Sequence, residues 1–433
     1  MDVDLLSSYA GLLSLAVVSI TAGAFGSLPT PKQSGPSTQA IEDDEDEDDM
    51  VERVSSGDAW LFPVMGSATL FGLYLVMKYL GKEWINWLLG WYFSLAGIGS
   101  VWKSLTSLAR ALIGREQWRK FEKNRVLVLR GPREIIALSW RTPSLFLFPL
   151  GALPSVLYTF SRSAKKSALL TDILALSFSH NALSLLKIDS FTTGCILLSG
   201  LFVYDIWWVF GTEVMVKVAT NLDVPIKLLW PKSVAFSTDR GFTMLGLGDV
   251  VIPGIFVALA LRYDYDRYSR SSGRSFTKPY FYATLAAYIA GLSTTMAVMH
   301  IFRAAQPALL YLSPACIMAF ILTATVRGEL THAWKWSDSP AQSGDDVKQI
   351  LEKEKASNEP AAKPSPSTVT DGLGVPTPQS DVSEAEADGD VEAEQEKGKK
   401  KKIKKKTELG PRIGIALPVV TASADLYTSV YPS

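Results

Sequence analysis

Residues 194–211 read GCILLSGLFVYDIWWVFG and residues 241–260 read GFTMLGLGDVVIPGIFVALA. Each is an apolar run long enough to cross a bilayer, and each holds one carboxylate, Asp205 in the first and Asp249 in the second. A charged carboxylate at mid-membrane costs about 3 kcal/mol even on the lenient insertion scale. Two of them approach the whole stability of a small domain, so they call for a functional reason.

The rest of the chain says that "mid-membrane" is the right phrase. Its 433 residues are 48% hydrophobic and include 12 Trp, and mean hydropathy is positive despite long polar segments. Apolar stretches of spanning length occur nine times, at roughly 5–28, 58–79, 84–105, 143–161, 167–186, 190–211, 241–262, 279–302 and 306–326. The expected fold is therefore an all-α polytopic membrane protein, a nine-helix bundle. The fourth stretch is interrupted by Pro149 and Pro154, which neighbouring helices in a bundle can absorb. The two cysteines, Cys195 and Cys316, both lie in apolar runs and offer neither a disulfide framework nor a metal site.

Lys and Arg gather after the third stretch (Arg110, Arg115, Arg119, Lys120, Lys123, Arg125, Arg130, Arg133) and after the seventh (Arg262, Arg267, Arg270, Arg274, Lys278). The positive-inside rule puts both in the cytosol, with the N-terminus luminal and the C-terminus cytosolic; the short segment Arg162–Lys166 votes the other way and is outnumbered. The first stretch reads as a retained helix rather than a cleaved signal peptide, because Met1-Asp2-Val3-Asp4 is acidic where a signal peptide is basic. The organisation expected is a first membrane helix (1–28), an acidic disordered loop (29–57) holding the block Glu42–Asp49, N-terminal membrane helices (58–189), a catalytic membrane core (190–330), and a disordered tail (337–433). The tail carries the lysine cluster Lys397–Lys406.

Asp205 lies about six residues before its stretch ends and Asp249 about eight after its stretch begins. At 1.5 Å per residue they sit roughly 9 and 12 Å below the same membrane face, on antiparallel helices joined by one loop. Facing carboxylates cannot both ionise and titrate as a pair. Such a pair supplies a base for water and an acid for a leaving amine, the aspartic protease arrangement. Gly246 and Gly248 remove side chains just before Asp249, permitting close backbone approach and loosening of the helix. They would equally suit plain helix packing. Asp172 reads as a solvated or paired helix-end residue, and His180 and His300 as satisfied bundle residues rather than metal ligands. No HExxH occurs, nor GxSxG with a suitable histidine. Two other classes stay open on these residues alone: a proton- or cation-coupled transporter or channel using the two aspartates, and a non-catalytic scaffold that recognises membrane helices.

Tyr204-Asp205, Gly246-Leu247-Gly248-Asp249 and Gln306-Pro307-Ala308-Leu309 resemble, in order and spacing, the three signatures of presenilin-type intramembrane aspartyl proteases. The longer stretches at residues 193–211, 244–261 and 299–316 are similar to the signal peptide peptidases within that group, and the resemblance covers roughly residues 85–330. It implies that Asp205 and Asp249 are the catalytic pair, that Tyr204, Gly246, Leu247 and Gly248 shape the site, and that Gln306, Pro307, Ala308 and Leu309 lie beside it. It also implies no metal or organic cofactor, and residence in the endoplasmic reticulum membrane in the orientation the basic loops suggest. Substrates would be type II transmembrane segments such as leftover signal peptides. Homo-oligomers and endoplasmic-reticulum quality-control partners follow from the same resemblance.

Overall fold

The computed structural model describes residues 3–29, 52–114, 117, 118, 120–130, 133–160, 167–222, 224–232, 241–270, 276–302 and 306–338. The acidic block, Arg115, Arg119, Arg162–Lys166, Arg274 and the chain beyond 338 lie outside them. In chain order the elements are α1 (Val3–Gly26), β1 (Glu52–Val54), α2 (Ser56–Leu80), α3 (Lys82–Ile113), β2 (Lys123–Arg130), β3 (Arg133–Arg141), α4 (Thr142–Phe160), α5 (Ala168–Leu185) and β4 (Leu186–Ile188). There follow α6 (Phe191–Phe210), α7 (Val214–Asn221), β5 (Lys227–Pro231), β6 (Phe242–Gly246), α8 (Gly248–Arg270), α9 (Pro279–Phe302), α10 (Leu309–Val326) and α11 (Leu330–Lys335).

The protein is a helical bundle whose outer surface is apolar. Trp60, Trp84, Phe146, Phe160 and Trp207 all project outward, a surface that water would penalise and lipid accepts. Among the described residues, seven helices are long and apolar enough to cross a membrane: α1, α2, α4, α5, α6, α9 and α10. The other two expected spans are helical as well, as α3 and α8, but do not meet that measure of length and composition. Charge is visible in both: α3 includes Lys82, Glu83, Lys103 and Arg110, and α8 runs on past Leu261 through Arg262, Asp264, Asp266, Arg267 and Arg270.

The middle of the bundle is α8, buried at every residue from Gly248 to Asp264. A helix covered on all sides needs neighbours all round. It finds them in α1, α5, α6, α9 and α10. Two close approaches depend on glycine: a Cβ on Gly194 of α6 would stand 2.8 Å from the Phe256 ring of α8, and one on Gly254 of α8 would stand 2.8 Å from Leu183 of α5. The second helix packs on α6, while α3 and α4 pack on each other and on α5. Several starts are capped by short polar side chains, as the unsatisfied first-turn amides require. Ser55 and Asp58 form a capping box on α2, and Ser190 accepts the Thr193 amide of α6.

Among the described residues, three two-stranded sheets interrupt the helical pattern. β1 pairs in parallel with β4, so residues 52–54, expected as acidic loop, are tied to the α5–α6 link. β2 and β3 make an antiparallel hairpin within the basic segment after α3. β5 and β6 make another, in register from Lys227↔Gly246 to Pro231↔Phe242.

That last hairpin corrects the sequence reading. The helix of the seventh expected stretch, α8, begins at Gly248, not near Gly241, because Phe242–Gly246 is extended, and that of the ninth, α10, begins at Leu309 rather than Gln306. The ground is set by Gly241, whose φ of +77° suits a turn into the strand, and by the β-favouring Phe242 and Thr243. An apolar run alone cannot tell a buried strand from a helix. Asp249 therefore stands in the first turn of α8, not eight residues inside a helix, and its depth of about 12 Å by helical rise no longer follows.

Candidate active site

Along α6 the buried positions Gly194, Leu197, Leu198, Leu201, Tyr204, Asp205 and Trp208 recur at helical spacing and form one inward face. Asp205 belongs to that face and is fully buried. Its Oδ2 accepts the Leu309 backbone N–H at 3.0 Å. Leu309 opens α10, where Ala308 as N-cap has no side chain to offer. A carboxylate from another helix thus satisfies one of the first-turn amides.

Asp249 reaches its place by another route. The β5–β6 ladder continues one step past the strand, with Leu247 N–H donating to the Ile226 carbonyl at 3.0 Å. The Leu247 carbonyl then accepts the amides of Val250 (3.2 Å) and Val251 (2.9 Å), which closes the first turn of α8. Strand passes to helix within Leu247-Gly248, and Asp249 is buried immediately after the junction.

The hairpin is fastened from outside by Asp172 of α5, whose Oδ1 accepts the Leu229 N–H at 2.7 Å. The residue read as solvated or paired is paired, and its partner is the strand beside the GLGD motif. On the far side, β6 has no third strand against it among the described residues. An apolar cleft of about 260 Å³ lies between α2, α3 and the segment entering β5, lined by Gly72, Leu73, Val76, Phe93, Leu222, Val224 and Ile226. Since Ile226 is bonded to Leu247, a wall of this cleft is joined to the backbone two residues from Asp249.

The remaining residues singled out from sequence are distributed as follows. Gly246 ends β6 opposite Lys227, and Gly248 is the first residue of α8. Pro307, Ala308 and Leu309 are buried, and Gln306 is half-buried. The Tyr204 ring lies against Gly66 of α2 and 6.4 Å from the Trp208 ring, and the Trp208 indole N–H donates to Ser67 of α2 at 3.0 Å. Tyr204 thus stands on the α2 side of α6. His180 lies 3.4 Å from the Ser107 hydroxyl of α3, and the His300 ring meets Tyr9 edge-on. Cys195 and Cys316 are free thiols.

The sequence reading missed the hairpin, its Asp172 anchor, and the capping of α10 by Asp205. A signal for the first was present in Pro225, Pro231 and Gly241, which punctuate the segment. No sequence signal pairs Asp172 with Leu229 across 57 residues.

Buried carboxylates on packed helices of a polytopic bundle define a membrane protein with a polar site inside its helical core. A family model described as signal peptide peptidase matches residues 46–340. The chain is 38% identical to human signal peptide peptidase over 338 residues, covering 77% of this chain and 84% of the relative. Mouse signal peptide peptidase is 37% identical over 363 residues, 82% and 89% of the two chains. A probable intramembrane protease of Schizosaccharomyces pombe is 39% identical over 273 residues, 63% and 80%. The chain belongs to the signal peptide peptidase family. Intramembrane proteolysis is the class of activity these relatives support for it.

Proposed function

We propose that the chain is an aspartyl endopeptidase that hydrolyses peptide bonds within type II transmembrane segments, such as signal peptides left after signal peptidase cleavage. Asp205 and Asp249 are its catalytic pair. The observation that carries this reading is the burial of both carboxylates, with Asp205 bonded to the start of α10 and Asp249 at a strand-to-helix junction.

The chemistry needs one proton between the two acids. The ionised carboxylate takes a proton from water as the water oxygen bonds to the scissile carbonyl carbon. The protonated carboxyl hydrogen-bonds the carbonyl oxygen, and the resulting diol collapses as the C–N bond breaks and the nitrogen gains a proton. A new carboxyl terminus and a new amine leave. A transmembrane helix must unwind before water can reach a carbonyl, and the side of β6 that has no strand against it among the described residues supports a docking mode in which the unwound segment adds as a strand. Gly246 and Gly248 let that backbone approach; Tyr204, Leu247 and the Gln306–Leu309 segment border the site.

On this reading the protein resides in the endoplasmic reticulum membrane with its N-terminus luminal and its tail cytosolic, works without a metal or organic cofactor, and forms homo-oligomers that meet quality-control partners. Purified protein given a signal-peptide-like helix in lipid should cut it, and Asp205→Ala and Asp249→Ala should each abolish cutting while keeping the fold. Cleavage by either variant sinks the pair assignment.

A further inference from the structure

At the end of the bundle away from the carboxylates, the segment 329–338 folds back as a strap. Arg262 of α8 is buried there, its side chain 1% exposed. Its Nε stands 3.0 Å from Asp338 Oδ2, and its Nη2 donates to the Ile188 carbonyl of β4 at 3.1 Å. Ser337 bridges Ser190, the N-cap of α6, and the Asp338 amide donates to the Asp189 carbonyl at 2.7 Å. Arg53 of β1 donates to the Asp338 carbonyl. Apolar packing joins the same parts: Phe191 of α6 stacks on Phe320 of α10 at 3.9 Å, and Trp336 covers both Phe191 and Tyr263. Glu329, where the strap leaves α10, pairs with Arg267 of α8 at 2.6 Å and accepts from the Tyr280 hydroxyl of α9.

The helices meeting here are the three whose opposite ends hold Asp205, Asp249 and Leu309. Phe191 and Arg262 are 14 and 13 residues from the aspartates, about 20 Å along each helix. Simple packing would not require a buried guanidinium, which is costly unless paired; here Asp338 offsets the charge of Nε without a hydrogen bond, and Nη1 makes no hydrogen bond among the described residues. What the ion pair adds is register: it fixes α8 axially against both the α6 link and the end of α10. We propose that Arg262 and Asp338 are positioning residues, which hold α6, α8 and α10 in the axial register that sets the two carboxylates and the Leu309 amide against one another. The inference rests on the proteolytic reading for its kinetic consequence alone.

The test uses the full chain in lipid. Asp338→Ala should lower kcat about tenfold to a hundredfold, the loss expected of a small misplacement, with little change in KM. In a Cys195→Ala/Cys316→Ala background, nitroxides on Val203→Cys of α6 and Tyr311→Cys of α10 should show a broadened distance distribution once Asp338 is replaced. Ser190→Cys with Ser337→Cys, added to Asp338→Ala, should restore kcat on oxidation and lose it again on reduction. Asp338→Asn carries the test if the alanine variant does not fold. An unchanged distance distribution in the released strap overturns the proposal, and so does a disulfide that forms without restoring kcat. Broadening in a protein whose wild type cuts no helix leaves the strap standing and removes the proteolytic reading instead.

Discussion

Asp172→Ala tests whether the hairpin positions the GLGD segment. The substitution removes the acceptor of the Leu229 N–H, a bond of 2.7 Å on the edge of β5 that no strand covers among the described residues. Leaving a partly buried amide unpartnered costs about 1–3 kcal/mol. At 1.4 kcal/mol per factor of ten, that is roughly a five- to 150-fold rise in the opening equilibrium of β5. Because each β6 residue from Phe242 to Gly246 pairs with β5, and Leu247 is bonded to Ile226, the loosening should pass along the ladder to the first turn of α8. Hydrogen exchange of the purified protein should therefore speed up over 227–231 and 242–247 together, with little change in α9. Asp172→Asn keeps an oxygen at the same position and should retain most of the protection. Cleavage should fall with the alanine variant and survive in the asparagine variant. Unchanged exchange at Leu229 in Asp172→Ala would refute the anchoring argument; fast exchange with undiminished cleavage would refute the link from hairpin to site.

Three further outcomes are expected. Gly194→Val puts a Cβ 2.8 Å from the Phe256 ring, so that the ring or the helices must shift; overpacking of this kind costs about 1–3 kcal/mol, read as a lowered unfolding midpoint together with reduced cleavage. Asp264 lies past the apolar run of α8, and burial pushes its carboxyl up to about 7, against the opposing pull of the Phe281 amide it accepts at 2.9 Å. The folded state then holds a proton that the unfolded chain releases near pH 4, so this group's share of stability is present at low pH and is lost as pH rises toward 7, on the order of 2–4 kcal/mol. Comparing unfolding midpoints between pH 4 and 8, Asp264→Asn should flatten that fall; parallel profiles would contradict it. Trp208→Phe removes the indole N–H bonded to Ser67 and leaves a smaller aromatic ring, and should cost at least about 1 kcal/mol, read as a lowered unfolding midpoint.

The helices were legible because apolar runs of spanning length are a coarse, additive signal that survives ignorance of contacts. All nine expected stretches contain a long helix among the described residues, including the fourth with Pro149 and Pro154 inside it. What the sequence hid lies where an apolar run is not a helix, or where charge is not solvated. Phe242–Gly246 has the composition of a span and the geometry of a strand. Arg262 belongs by sequence to a basic loop and by structure to a buried ion pair. Both depend on partners 11 to 76 residues away, which periodicity within one segment cannot register.

The cost that first drew notice to Asp205 and Asp249 can now be set against something specific. Both carboxylates stand at helix N-termini, one in the first turn of its own helix α8, the other bonded to the first amide of α10. The helix dipole favours whichever of the two is ionised by about 0.3–1 kcal/mol, and up to ~2 kcal/mol where partly buried. An aspartate midway along an unbroken helix would lack this. Had α8 begun at Gly241, Asp249 would stand about two turns below the positive end. The strand before Gly248 therefore does more than pair with β5. By stopping the helix just short of Asp249, it puts that buried carboxylate in a first turn, where the helix dipole offsets part of the cost of a charge that lipid alone would exclude.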